Sequence, residues 1–218
     1  SFITENVVRS SLKGYEINPY YQYMTSLYAQ SEVDAVFMKY RVGTSLLWNG
    51  ATIFWLTDLE GKVRSGKIMR CDPNSGHRIK ERYSINWAHK MLKIQNFQLE
   101  QVLFGLHLLK DPEVTDLICI VESQKTALVM AIECPQYTWM ATGSQVQLSY
   151  NMLAPLKNRT VILYPDSDAQ DDWTNKAAIL ADQLPIDLRI SSVVFEATKH
   201  LDQSKGYDLA DLIIPKAD

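Results

Sequence analysis

Cysteine is scarce in this sequence. Its three residues, Cys71, Cys119 and Cys134, are widely spaced and odd in number. They form no C-x-x-C pair, which excludes a zinc ribbon and a disulfide framework. Cys119 lies inside the apolar run LICIV and reads as a small buried thiol. Histidine is also sparse, at four residues, and His89 and His107 stand apart from any other His or Cys. Neither reads as a metal ligand. No apolar run reaches the roughly 18 residues of a membrane span. The first residues, SFITENVVRSSLKG, lack the apolar core of a signal peptide. These absences predict a cytoplasmic chain. Its 218 residues, 46% of them hydrophobic, suffice for a core without metals or disulfides.

The net charge of −3 conceals an asymmetry. Residues 1–110 carry 14 Lys and Arg against 9 Asp and Glu; residues 111–218 carry 8 against 16. A basic half joined to an acidic half suggests one surface for polyanions and one acidic site for cations. Asp111-Pro112 marks the boundary between two domains, 1–110 and 111–218.

The first half reads as mixed α+β. In NPYYQYMTSLYAQ, Asn18 is a candidate N-cap and Pro19 fits the first helical position. SEVDAVFMKYRVG predicts a second helix, capped by Ser31 and stopped by Gly43. The aromatic stripe of these helices reads as core rather than as a base-stacking platform. ATIFWLTD, KVRSGKIMRCD and HRIKER, separated by turns, predict an antiparallel meander of three strands. Its second and third strands carry Lys62, Arg64, Lys67, Arg70, Arg78, Lys80 and Arg82, opposed only by Asp72 and Glu81. Edge protection accounts for some of these cations; seven in so short a stretch point to phosphate binding. Residues 86–110 read as helical or mixed, with a break near Gly105.

The second half alternates strand and helix. DLICIV, YTWMAT, RTVILY and DLRISSVVF read as strands. ESQKTALVMAIEC, SQVQLSYNMLAPL and AQDDWTNKAAILADQL read as helices, and KGYDLADLII as a last helical turn. Such alternation predicts a parallel sheet flanked by helices, with right-handed crossovers.

In an open parallel sheet, functional groups collect beyond the carboxyl ends of the strands. Glu122 follows DLICIV, and Asp166 and Asp168 follow RTVILY. Each has a bland alternative, since Glu122 or Asp168 would serve as a helix cap. Asp171 and Asp172 read as charges of a helical first turn. Three carboxylates at two strand ends repel one another unless a cation neutralises them. Oxygen donors without Cys or His favour Mg²⁺ or Mn²⁺.

These residues resemble the Toprim domain of DnaG-type primases, topoisomerases and some nucleases. The resemblance rests on Val121-Glu122-Ser123 and Pro165-Asp166-Ser167-Asp168, with Ala141-Thr142-Gly143-Ser144 between them and Lys205-Gly206-Tyr207-Asp208-Leu209-Ala210-Asp211-Leu212 near the end. Gly50-Ala51-Thr52-Ile53-Phe54-Trp55, Asp58-Leu59-Glu60-Gly61-Lys62-Val63 and Leu103-Phe104-Gly105-Leu106 are similar to the amino-terminal part of a primase catalytic core. Where primases usually have Gly after the Glu and Asp four residues past it, this chain has Ser123 and Thr126. Gln170 replaces the Gly of an Ala-Gly pair. These departures resemble phage, plasmid and mobile-element proteins more than chromosomal primases.

The resemblance implies an α/β Toprim domain preceded by a smaller primase-core α+β domain with a basic hairpin. It implies primer synthesis on a single-stranded DNA template from nucleoside triphosphates. Asp166 and Asp168 would bind Mg²⁺ or Mn²⁺, with Asp208 or Asp211 completing the acidic rim. Glu122 would be a ligand or the catalytic base. A replicative helicase is the implied partner, and the chain is expected to be a fragment of a longer protein. Two alternatives use the same residues: a metal-dependent Toprim nuclease, and a non-catalytic single-strand-binding module. A type IA or II topoisomerase is not expected, because this chain lacks room for the domain that bears the cleaving tyrosine.

Overall fold

A computed structural model describes residues 1–111 and 114–214. Two compact units divide the chain, Ser1–His107 and Leu108–Asp218. Pro112, half of the boundary read from the sequence, lies outside the described residues.

Unit 1 is built on a four-stranded antiparallel sheet: β1 Val42–Thr44, β2 Thr52–Thr57, β3 Val63–Met69 and β4 Ile85–Trp87, in that order. Helices α1 Glu5–Ser11, α2 Pro19–Leu27, α3 Gln30–Lys39 and α4 Ala88–Met91 belong to the same unit. Asn18 is fully buried and caps α2. Its Oδ1 accepts from the amides of Tyr20 and Tyr21 and from the Thr52 hydroxyl, and its Nδ2 donates to the Gly43 carbonyl and the Thr44 hydroxyl. One side chain thus fixes α2 against both β1 and β2. The tyrosines it positions are core: Tyr20 and Tyr21 pack around Phe37, and Tyr20 reaches Phe54.

Successive residues of β2 face opposite ways. Ile53 and Trp55 join the cluster of Ile3, Val8, Val63 and Ile68 on one face, while Phe54 meets Phe104 at 5.8 Å on the other. The Trp55 indole donates to the Ser11 hydroxyl at 2.9 Å. Gly66 stands opposite Trp55 in the ladder, and a Cβ there would lie 2.6 Å from the ring. The ring needs that bare backbone.

Three expectations for unit 1 change. HRIKER is not a strand; one isolated bridge, Cys71 to Arg78, precedes β4. The Asp72 carboxylate accepts from the amides of Asn74 and Ser75, which folds the segment into a turn instead. Residues 86–110 narrow to the mixed alternative: they hold the end of β4, α4 and a 3₁₀ turn over Leu106–Lys110, with Gly105 at positive φ just before it. Lys93 and Asn96 have positive φ, which no α-helix accommodates. Helix α3 begins before Ser31, with Ala29 as its cap residue and the Glu32 carboxylate accepting from the Ala29 amide. His89 packs against Phe97 at 4.7 Å, and the His107 ring bonds the Lys39 carbonyl, so both are structural, as expected.

Unit 2 is a four-stranded parallel sheet in the order β6-β5-β7-β8. The strands are β5 Leu117–Val121, β6 Thr138–Ala141, β7 Thr160–Tyr164 and β8 Asp187–Ile190. Between and after them lie α5 Gln124–Glu133, α6 Tyr150–Leu153, α7 Gln170–Gln183 and α8 Val193–Thr198. β5, β6 and β7 match apolar runs in the sequence; of the expected strand DLRISSVVF only DLRI pairs, as β8, and its Val193-Val194-Phe195 opens α8 instead. Two helical expectations do not hold as written. SQVQLSYNMLAPL breaks into 3₁₀ turns around the four-residue α6, with Pro155 inside the last. KGYDLADLII holds the end of one 3₁₀ turn and the whole of another. Cys119 is buried in β5, where loss of water pushes its thiol up to about 12. Among the described residues, no helix is long and apolar enough to cross a membrane.

Gly66→Ala should destabilise the chain by about 1–3 kcal/mol, because the added methyl overpacks Trp55. Urea denaturation checks this; an unchanged midpoint would mean that the ring has room to shift.

Candidate acidic site of the parallel sheet

β5 and β7 are central neighbours, and their last residues, Val121 and Tyr164, are in register. Parallel pairing therefore delivers Glu122 and Asp166 to the same edge of the sheet. β6 ends there too, with Ala141 beside Val121, and the amide of Gly143 donates to the Glu122 carbonyl at 2.8 Å.

The bland alternatives for these carboxylates are not realised. Ser123, not Glu122, caps α5 by accepting from the Lys125 amide. Ala169 occupies the cap position of α7, with no side-chain cap bond. Asp172 is paired with Lys176 at 2.7 Å, as a first-turn charge should be.

The loop Asp166–Asp168 is clamped by a segment some forty residues further on. Ser167 is buried between two carboxylates of the sequence. Its amide donates to the Tyr207 carbonyl at 2.8 Å, and its hydroxyl accepts from the Tyr207 amide and donates to the Gln203 carbonyl. Gly206, at φ +62°, lies against Asp168: a Cβ there would stand 3.3 Å from the carboxylate. The same segment carries Asp208 and Asp211, which exchange backbone-to-carboxylate bonds of 3.0 Å. Thr126 of α5 then donates its hydroxyl to Asp208 at 2.6 Å. Three pieces of chain are thereby tied around one acidic edge.

The electrostatic result is large. Withdrawal from water, followed by the charges of Glu122, Asp208, Asp168 and Asp211, pushes the Asp166 carboxyl up to about 9. At neutral pH it holds its proton. A cation is the simplest relief for such a cluster, and the oxygen-only donor set suits Mg²⁺ or Mn²⁺. The chelate is not preformed, however: among the described residues, no three His, Cys, Asp or Glu side chains meet as an ion's ligands. The carboxylates are near enough to repel and are not drawn to one point.

The basic residues of unit 1 divide into two groups. Arg64 is mostly buried and contacts Asp58 at 2.5 Å, Glu100 at 2.8 Å and Glu60 at 3.8 Å. It braces the β2–β3 turn, where Asp58 also accepts from the Lys62 amide. Arg70 pairs with Glu81, and its guanidinium lies 6.0 Å from the Trp48 ring. Lys67 is half-buried on β3, in register with Phe54 and Trp87. Lys62, Arg78, Lys80 and Arg82 are exposed. The sequence reading missed the parts of Ser167 and Thr126. A small hydroxyl residue between the two aspartates was the available signal for the first; nothing local signals the second.

DUF6371, described as a domain of unknown function, matches residues 18–167. No curated protein matches the chain. Among solved structures, the chain is similar to the RNA polymerase domain of the Mycobacterium tuberculosis primase DnaG: 12% identity, 92% of this chain, 78% of that one, TM-score 0.55. It is also similar to a DnaG primase catalytic domain bound to single-stranded DNA, at 12% identity and the same coverages, with a TM-score of 0.51. For the primase fragment of the bacteriophage T7 primase-helicase protein the identity is 15% over 72% of this chain, with a TM-score of 0.49. The chain spans 60% of that fragment's length. It has the fold of DnaG-type primase catalytic cores.

The raised carboxyl fixes a sign. Between about pH 4 and pH 9 the native chain keeps the Asp166 proton, while the unfolded chain has lost it. The native state binds more protons there, so stability falls as pH rises through this window. In chelator, Asp166→Asn should melt about 2–8 °C above wild type at pH 8, and this gain should vanish near pH 4. Melting curves across that range test it; a gain independent of pH would show that Asp166 is not the titrating group.

Proposed function

The chain belongs to the DUF6371 family, and we propose that it is a primase-like nucleotidyltransferase core, making a short RNA primer on single-stranded DNA with Mg²⁺ or Mn²⁺. One observation carries this reading. Asp166, next to Glu122, Asp168, Asp208 and Asp211, is raised to about 9 at the carboxyl edge of a parallel sheet. A cluster that unfavourable is retained where it has charge to neutralise. The shared fold with DnaG-type catalytic cores supports the reading, as does the bound single strand named for one of them.

In this reading residues 111–218 are a Toprim domain and residues 1–110 the amino-terminal primase-core domain. Asp166 and Asp168 hold the cation, and Asp208 stands on its rim. A bound divalent ion supplies positive charge toward the phosphates of a nucleoside triphosphate. Ser167 and the Gly206–Tyr207 segment hold the aspartates in place. Thr126 holds Asp208. Glu122 either joins the ligands or takes the proton of the attacking 3′-hydroxyl. The exposed cations of unit 1 bind template phosphates without regard to sequence. A cytoplasmic setting, a helicase partner and a mobile-element origin belong to the same proposal.

A second reading is favoured by one observation: among the described residues, the carboxylates are not gathered into a chelate. It makes the chain a single-strand-binding module without chemistry. The two readings separate in two assays. In the first, Mg²⁺ or Mn²⁺ should raise the melting temperature of wild type by mass action, and Asp166→Ala with Asp168→Ala should abolish that rise. In the second, wild type should incorporate labelled nucleotides on a single-stranded template. Glu122→Gln should lose about 10²–10⁴-fold in rate while its melting temperature holds or rises, because Ser123 caps α5 and a charge beside Asp166 is removed. Metal-dependent cleavage without nucleotides, lost in Glu122→Gln, would make the protein a nuclease. Binding with no chemistry by wild type and variant alike would make it a binding module.

A further inference from the structure

The segment between β3 and β4 leaves the sheet as a loop with pinned ends. The Arg70 carbonyl accepts from the Ile79 amide at 3.1 Å, and the Arg70 amide donates to the Ser84 carbonyl at 3.0 Å. One β3-side residue therefore ties both ends of the excursion that displays Lys80, Glu81, Arg82 and Tyr83. Glu81 is also drawn back, by its 2.9 Å pair with Arg70. Arg78, Lys80, Arg82 and Tyr83 remain exposed, and Tyr83 is 68% accessible. Among the described residues, Arg78, Lys80 and Arg82 make no salt bridge.

Two further features single out this loop. Tyr83 has φ +68°, a left-handed conformation that a large side chain adopts at a cost. Strain of this kind, held by pinned ends, collects at binding sites. The Arg82 guanidinium lies 4.9 Å from the Tyr83 ring centroid, so a cation and an aromatic face are presented as one unit. Beside them is an open groove of about 470 Å³, lined by Arg78, Lys80, Glu81, Tyr83, Ser84 and Ile85. An exposed ring, flanking unpaired cations and a groove form the combination by which proteins hold a single strand: bases stack while phosphates are neutralised. A duplex does not offer its base faces, and its phosphates alone would leave the tyrosine unused.

We propose that the Ile79–Ser84 loop is a stacking platform for single-stranded nucleic acid, with one base on Tyr83 and the adjacent phosphates on Arg78, Lys80 and Arg82. This deepens the template-binding part of the proposed function and rests on it. It also narrows the basic stretch: Arg64 and Arg70 brace the chain, and the loop meets the strand.

The test measures affinity of the whole chain for a short oligo-dT, for the same strand carrying abasic sites, and for a duplex, each over the same series of salt concentrations. Tyr83→Gly suits the positive φ, so its melting temperature should hold or rise. Its affinity for oligo-dT should nevertheless fall roughly 5- to 150-fold, the range of one lost stacking contact. Tyr83→Phe, which keeps the ring, should bind as wild type does. Wild type should bind the abasic strand weakly, and there Tyr83→Gly should change little. Duplex affinity should be the same in wild type and Tyr83→Gly. If oligo-dT affinity survives in Tyr83→Gly and still falls with salt, the platform is wrong and the template-binding reading stands. If wild type binds no single strand at all, both are wrong.

Discussion

Like charge held where water is scarce is the constraint on which unit 2 depends. A parallel sheet places the ends of neighbouring strands together, so the carboxylates of Glu122 and Asp166 cannot avoid each other once β5 and β7 pair in register. The chain responds by protonation, which leaves Asp166 neutral near pH 7, and by fastening the surroundings. Ser167, Tyr207, Gln203, Thr126 and the reciprocal pair Asp208–Asp211 supply backbone and hydroxyl bonds that hold the aspartates without cancelling their charge. The arrangement is therefore fastened through its backbone and unfavourable in its electrostatics.

Unit 1 follows a different logic. Asn18 is buried there with its side-chain amide satisfied several times over, and Trp55 is accommodated by glycine across the ladder. The cations that look equivalent along the sequence are not. Arg64 is used up by three carboxylates, and Arg70 organises the β3–β4 connection through both its main chain and its side chain. Of the seven cations from Lys62 to Arg82, Arg78, Lys80 and Arg82 stay exposed around one loop, and Lys62 stays exposed at the β2–β3 turn.

The apolar strands of unit 2 were legible because a strand buried on both faces must be apolar throughout, and each run of four or five such residues became a strand. The D-x-D and the glutamate were legible because strand ends in a parallel sheet are chemically special places. HRIKER misled because alternation of cations imitates a strand with one wet face, while the turn made by the Asp72 carboxylate competes with pairing. In residues 86–110 the mixed alternative holds, because helical spacing says nothing of the left-handed residues Lys93 and Asn96 that stop α4 from continuing. A hydroxyl between two aspartates hinted at Ser167, but the bonds of Ser167 and Thr126 were not legible, since their partners lie 40 and 82 positions away and no local pattern names them.

The clamp on the aspartate loop has a consequence for the order of assembly. Strands β5 to β8 are complete by Ile190, yet the bonds that fix Ser167 and Asp208 require residues from Gln203 onward. As the chain emerges from a ribosome, the sheet can close before its acidic edge is shaped. Closing the 82-residue interval from Thr126 to Asp208 costs loop entropy that grows only slowly with length. The delay therefore comes from waiting for the segment rather than from finding it. A nascent chain would crowd Glu122 and Asp166 as soon as β5 and β7 pair, and would add Asp208, Asp211 and the clamp on Ser167 in one later event.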